Sequence, residues 1–172
     1  FAHSSNVGMS KVAYKAFVQN PHEFKDYLHR YHMDVRSPID LSNIPKPQLA
    51  PLDKNKGGVM NMITMSFGYA VQVSPLHTLT LYNAVANNGK MMRPRFVTAI
   101  LDNGSVVKSF GTEVIINSIA SRSTIRKARA MMEGVVEKGT AINLKNPEYK
   151  IAGKTGTAQI AMNNQGYRRK IT

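Results

Sequence analysis

The sequence predicts an α+β fold, with helices and antiparallel strands mixed along the chain and no regular strand-helix alternation of the kind a parallel sheet needs. Three observations predict it. Four segments carry apolar residues at helical spacing behind cap-like residues. An Asn-Gly pair sits between two apolar runs, the strongest short hairpin signal. A chain of 172 residues with 42% hydrophobic content is long enough for one domain with a real core.

Taken in order, Val7, Val12, Ala13, Ala16 and Phe17 fit a helix from Val7 to Val18, with Asn6 as its N-cap. Asn20, Pro21 and Glu23 open a second helix, expected to end near Met33. Phe24, Tyr27, Leu28 and Tyr31 form its stripe. From Ser37 to Gly58 four prolines and a Gly-Gly pair argue for an extended loop. Ser74-Pro75 then opens a buried helix through Leu76, Leu79, Leu81, Tyr82, Val85 and Ala86, which closes at Asn88-Gly89. Phe96 to Leu101 and Val106 to Phe110 pair across Asp102-Asn103-Gly104-Ser105. Ser123 to Lys138 reads as a helix stopped by Gly139, and a strand is expected around Tyr149 to Ile160.

With no cysteine, the chain has no disulfide, thiolate metal site or cysteine nucleophile. No stretch has the roughly 18 apolar residues of a membrane span, and the N-terminus lacks a signal-peptide layout. The net charge of +13 raises nucleic acid, anionic lipid or an acidic substrate as partners. The basic residues are scattered, however, apart from Arg122 to Arg129 and Arg168-Arg169-Lys170. No basic stripe with interleaved aromatics marks a nucleic-acid groove. His22, His29 and His32 lack a clear third metal ligand, so no metal and no other cofactor is expected. The ten methionines, Met60 to Met65 and Met131-Met132 among them, read as core filler.

Two short motifs can carry chemistry. Lys154-Thr155-Gly156-Thr157 on a strand would send Thr155 and Thr157 to one side, and Gly156 would let a ligand approach closely. Ser4-Ser5-Asn6 stands at the lip of a helix, where Ser and Asn also serve as plain caps. Each motif alone has an ordinary structural explanation. Together, Ser-x-Asn followed by Lys-Thr-Gly is the order found in serine acyltransferases of the penicillin-binding class.

The resemblance extends further, through His3-Ser4-Ser5-Asn6-Val7-Gly8, Gly68-Tyr69-Ala70 to Ser74-Pro75-Leu76, and Asn83 to Gly89 with Arg93-Pro94. It continues in Met132 to Ala141 and Gly153 to Gln159, all in order and at similar spacing. On these stretches the chain resembles class B penicillin-binding proteins, the peptidoglycan D,D-transpeptidases, over the later part of their transpeptidase domain. The resemblance implies a partial β-lactamase/transpeptidase-like fold, with helices packed on an incomplete antiparallel sheet. It also implies that residues 1–172 are a domain piece truncated at both ends.

The resemblance implies roles as well. Ser4 would relay a proton to the leaving group, and Asn6 would hold the substrate amide. Lys154 would place positive charge beside Ser4. Thr155 and Thr157, with Gly156 between them, would bind the terminal carboxylate of a D-alanyl peptide or the acid of a β-lactam. The Thr157 N–H would form half of an oxyanion hole. The expected partners are peptidoglycan stem peptides, β-lactam antibiotics and the parent's cell-wall synthesis partners. The parent is expected in the bacterial inner membrane, with this domain on the periplasmic side.

The family nucleophile, the Ser of a Ser-x-x-Lys, is expected before residue 1, so the piece alone is expected to be inactive. Ser105-Val106-Val107-Lys108 matches that pattern only as a decoy, because on a strand residues three apart face opposite sides. Asn103-Gly104-Ser105 is likewise explained by the hairpin turn. Ala70 stands where many relatives have glycine, which puts its backbone freedom in question. The sheet is expected to be incomplete after Ile171-Thr172, so the piece should self-associate or borrow a strand; a strict monomer in light scattering would count against that. A β-lactam sensor or degenerate relative, and a basic nucleic-acid or lipid-binding module, remain as alternatives.

Overall fold

A computed structural model describes residues 1–39, 41–162 and 166–171, with the backbone alone for residues 158–162 and 166–171. Two compact units divide the chain, residues 6–127 in one and residues 1–5 with 128–172 in the other. The division falls within a helix, Arg122–Lys138. The α+β class is borne out, the strands among the described residues forming four antiparallel pairs. None of the described helices is long and apolar enough to cross a membrane.

In the larger unit, helices α1 (Asn6–Phe17) and α2 (Pro21–Arg30) are followed by the short strand β1 (Gln48–Leu49). Next come α3 (Gly58–Met65), β2 (Val71–Gln72) and α4 (Pro75–Ala86). Strand β3 (Met91–Met92) pairs with β6 (Val114–Ile116), and β4 (Ala99–Asp102) pairs with β5 (Ser105–Ser109). Asn6 is the first helical residue of α1 rather than the residue before it. Helix α2 stops at Arg30, three residues short of the expected Met33, because His32 adopts φ 55° and the Met33 N–H turns back to the Leu28 carbonyl at 2.9 Å. That is the helix-ending arrangement usually built on glycine, and a histidine in the left-handed role gave no sequence signal.

Helix α3 was not among the expected elements, yet it supplies the core. Met62 and Met65 are buried with Leu52, and Phe24 and Leu28 of α2 pack against them. The reading of methionines as filler holds for these two, while Met60 is exposed. Phe17 meets the edge of Phe24 at 5.5 Å between ring centroids, tying α1 to α2.

Helix α4 has the expected bounds, but its buried residues are His77 and Ala84, and Leu79 is 64% exposed. The His77 Nε2–H donates to the Val35 carbonyl at 2.8 Å, which leaves Nδ1 to accept from the Ser74 hydroxyl at 2.7 Å. A histidine satisfied on both nitrogens can be buried without the cost of a lost hydrogen bond. The helix ends at Asn88-Gly89 as expected, with Gly89 at φ 89° and its N–H on the Ala84 carbonyl at 2.8 Å. A second core of Ala84, Met91, Ile119 and Ile125 lies beside it.

The Asn103-Gly104 turn closes the β4-β5 hairpin with both residues at positive φ, the signature of a type I′ turn. Ser105 and Lys108 both lie on β5, so the Ser-x-x-Lys there has strand geometry and not the helical face that the nucleophile motif requires. Ala70 has φ 56°, a left-handed backbone that glycine would adopt freely and alanine adopts with strain.

In the smaller unit, the C-terminal part of α5 (Arg122–Lys138) buries Val135 and Val136 against Ala141, with Ile151 packed on this cluster. The strand expected from Tyr149 begins only at Ala158. Residues 151–157 belong to no helix or strand, and upstream the Asn146 side chain accepts the N–H of Glu148 at 2.8 Å, a turn that competes with pairing. Strand β7 (Ala158–Met162) pairs with β8 (Gly166–Ile171), which was not expected. The side chains of Arg168, Arg169 and Lys170, and all of Thr172, lie outside the described residues.

Candidate active site

Residues 1–5 and 151–157 meet within the smaller unit, and the meeting is made by one lysine. Lys154 Nζ donates to Ser4 Oγ at 2.7 Å, to the Thr155 carbonyl at 2.9 Å and more weakly to Thr155 Oγ1 at 3.4 Å. It also lies 5.8 Å from the centre of the Phe1 ring, within cation-π range. Among the described residues no carboxylate pairs with it. Desolvation of this half-buried ammonium holds its pKa below the ordinary 10.5. The lysine therefore carries its charge toward a hydroxyl rather than toward an acid.

Ser4 is exposed and sits at φ 53°, a left-handed backbone that costs a non-glycine residue about 1–2 kcal/mol. Its N–H donates to the Phe1 carbonyl at 3.0 Å, closing a tight turn over residues 1–4. Strain of this kind persists where the surroundings over-determine the backbone, and here the surroundings are the lysine and the turn.

The turn is held from a second side by the segment after α5. The Thr140 N–H donates to the Ala2 carbonyl at 3.1 Å, and Thr140 Oγ1 lies 2.6 Å from Thr155 Oγ1. Gly139 ends the helix, as its sequence position suggests, but its φ is not left-handed. A Cβ there would stand 2.3 Å from the Ala2 carbonyl oxygen, so close approach is what requires the glycine. Thr140 and Gly139 were not among the candidate residues. The signal that could have marked them is a Gly-Thr pair directly behind a helix end, with no turn chemistry of its own to explain it.

Hydrogen bonding thus unites Ser4, Lys154, Thr155 and Thr140. Asn6 stands at the start of α1, where its carbonyl accepts the Ser10 hydroxyl at 2.8 Å. Gly156 and Thr157 are exposed, and nothing lies within 4 Å of where a Cβ on Gly156 would be. That open space beside a cation and two threonine hydroxyls has the chemistry of a carboxylate-binding edge.

The family model described as the penicillin binding protein transpeptidase domain matches residues 1–172. Penicillin-binding protein PbpB of Mycolicibacterium smegmatis is 29% identical over 167 residues, covering 92% of this chain and 25% of the relative. The probable peptidoglycan D,D-transpeptidase PbpC of Pseudomonas aeruginosa is 30% identical over 168 residues, covering 95% of this chain and 26% of the relative. The crystal structure of penicillin binding protein 3 from Mycobacterium tuberculosis complexed with aztreonam superimposes with a TM-score of 0.79 at 26% identity, over 97% of this chain and 38% of that one. The chain thus spans about a quarter of the length of these two curated relatives. With the whole of residues 1–172 matched and the fold shared, the chain belongs to the penicillin-binding protein transpeptidase domain family, in its class B branch.

Proposed function

We propose that this chain is the later part of a serine D,D-transpeptidase that binds β-lactams and cross-links peptidoglycan stem peptides through an acyl-enzyme. The nucleophile, the serine of a Ser-x-x-Lys, comes from outside residues 1–172, and these residues alone do not acylate. The observation that carries the reading is the 2.7 Å hydrogen bond from Lys154 Nζ to Ser4 Oγ, which joins two motifs 150 residues apart in sequence.

In the first half-reaction the external serine oxygen attacks the carbonyl of the penultimate D-alanine and the peptide C–N bond breaks. The departing amine needs a proton. Ser4 hands it over and is reprotonated by the proton that the attacking serine gives up, and Lys154 stabilises the Ser4 oxygen while its proton is away. Thr155 and Thr157 bind the substrate carboxylate in the open space beside Gly156, and Lys154 adds its charge. The Thr157 N–H offers one donor to the oxyanion, and Asn6 holds the substrate amide. In the second half-reaction an acceptor amine attacks the acyl ester, and the same proton path runs in reverse. In the parent, this domain works on the outer face of the inner membrane together with cell-wall synthesis partners.

The test is intact mass and peptide mapping after a penicillin is added to the full-length protein, with residues 1–172 as control. An adduct on a serine outside these residues, and none on the control, is the expected result. An unlabelled full-length protein points instead to a degenerate relative. A labelled control overturns the placement of the nucleophile.

A further inference from the structure

We propose that Thr140 is a positioning residue that donates its hydroxyl proton to Thr155 when a carboxylate is bound, so that Thr155 accepts from Thr140 while it donates to the substrate carboxylate. This rests on the reading of Thr155 as a carboxylate ligand. Two hydrogen bonds place Thr140 between the two motif-bearing segments. Its N–H holds the Ala2 carbonyl at 3.1 Å, two residues before Ser4, and its Oγ1 is 2.6 Å from Thr155 Oγ1.

Thr155 Oγ1 accepts from Lys154 Nζ at 3.4 Å and has one proton of its own. If that proton points at Thr140, none is left for a ligand. If Thr140 donates instead, Thr155 accepts from two sides and its proton must point away from both donors. A carboxylate in the open space beside Gly156 selects the second arrangement, because a hydrogen bond to an anion outcompetes one between neutral hydroxyls. The result is a chain of two hydroxyls running from Thr140 through Thr155 to the ligand, with Lys154 as the second donor. The 2.6 Å separation lies within the ordinary range for a hydrogen bond between two hydroxyls, so either arrangement is available until a ligand binds.

The backbone of Thr140 is fixed. The Ala2 carbonyl holds its N–H, and Gly139 lets that carbonyl come closer than any side chain would allow. Replacing the hydroxyl by a methyl group leaves the backbone bond in place and removes only the donor.

The experiment compares wild type with T140S, T140V and T140A in the full-length protein. Second-order acylation rates are measured with a penicillin as its free carboxylate and as its methyl ester. The readout is the ratio of the two rates on each preparation, which cancels the fraction of active protein, so partial misfolding of a variant does not mask the result. T140V and T140A should lose about three- to tenfold of the preference for the carboxylate, the worth of one hydrogen bond, and T140S should keep it. A T140V ratio equal to that of wild type, or a T140V slowed equally on both forms, overturns the proposal. A wild type acylated by neither compound removes the reading of the site itself, and that failure is seen before any variant is made.

Discussion

Replacing Lys154 by methionine in the full-length protein removes the ammonium while keeping an unbranched stem of similar length. The structure sets the size of the effect through the 2.7 Å separation of Nζ and Ser4 Oγ. A full negative charge on that oxygen would interact with the ammonium by about 1.5 kcal/mol at the dielectric of water and about 6 kcal/mol at an effective value of ~20. Ser4 is exposed and Lys154 half-buried, so the lower part of that range applies. Only part of a charge develops while the proton is in transit. The expected loss is therefore about 1–2 kcal/mol, or roughly 5- to 30-fold in the acylation rate.

Fluorescent penicillin labelling measures that rate, and a thermal melt reports the fold. The melt should fall only modestly, since the hydrogen bonds lost to Ser4 and Thr155 belong to a partly exposed group and no carboxylate among the described residues loses a partner. Desolvation holds Lys154 below 10.5, so wild type loses the ammonium at a lower pH than an ordinary lysine would. The gap between wild type and K154M should then narrow on the alkaline side before that value is reached. A K154M protein with an intact melt and a rate within twofold of wild type would refute the idea that Ser4 works against the charge on Lys154.

Three further outcomes follow from the geometry. G139A adds a methyl group 2.3 Å from the Ala2 oxygen and 2.8 Å from the Val135 oxygen, both backbone atoms that cannot swing aside. It should cost about 1–3 kcal/mol and slow acylation by shifting the Ser4 turn, as a melt and penicillin labelling would report. A70G relieves a left-handed alanine worth about 1–2 kcal/mol and gives back about 0.5–1 kcal/mol in chain entropy; the melting temperature should rise by a few degrees, and a fall would contradict the assigned strain. Burial holds the hydroxyls of Tyr31 and Tyr82 above the ordinary 10.0. The unfolded chain releases these protons first, so the stability they contribute is complete below pH ~10 and is lost as the pH rises through the folded values. Urea midpoints should fall in that window, and Y82F should flatten the fall.

Local chemistry was legible in the sequence. The Asn103-Gly104 hairpin, the start of α2 at Pro21 and the Ser74-Pro75 opening of α4 all follow from backbone preferences within a few residues, and the structure has each of them. The two motifs were legible too, together with the longer stretches around them, whose order along the chain carries the resemblance to the family without any coordinates. Readings failed where the deciding residue acts outside its usual type. His32 takes a left-handed backbone normally given to glycine, and His77 is buried because the Val35 carbonyl and the Ser74 hydroxyl satisfy both of its nitrogens.

The site itself is a tertiary fact. Nothing in the spacing of Ser4 and Lys154 requires them to be 2.7 Å apart, and Thr140 had no assigned role until its N–H and hydroxyl met Ala2 and Thr155. Sequence determines which residues are available and how the backbone bends locally, because those are short-range preferences. Which hydroxyl a lysine reaches across 150 residues is decided only when packing around Val135, Val136 and Ala141 fixes where the end of α5 lies, and with it the segment that holds the Ser4 turn.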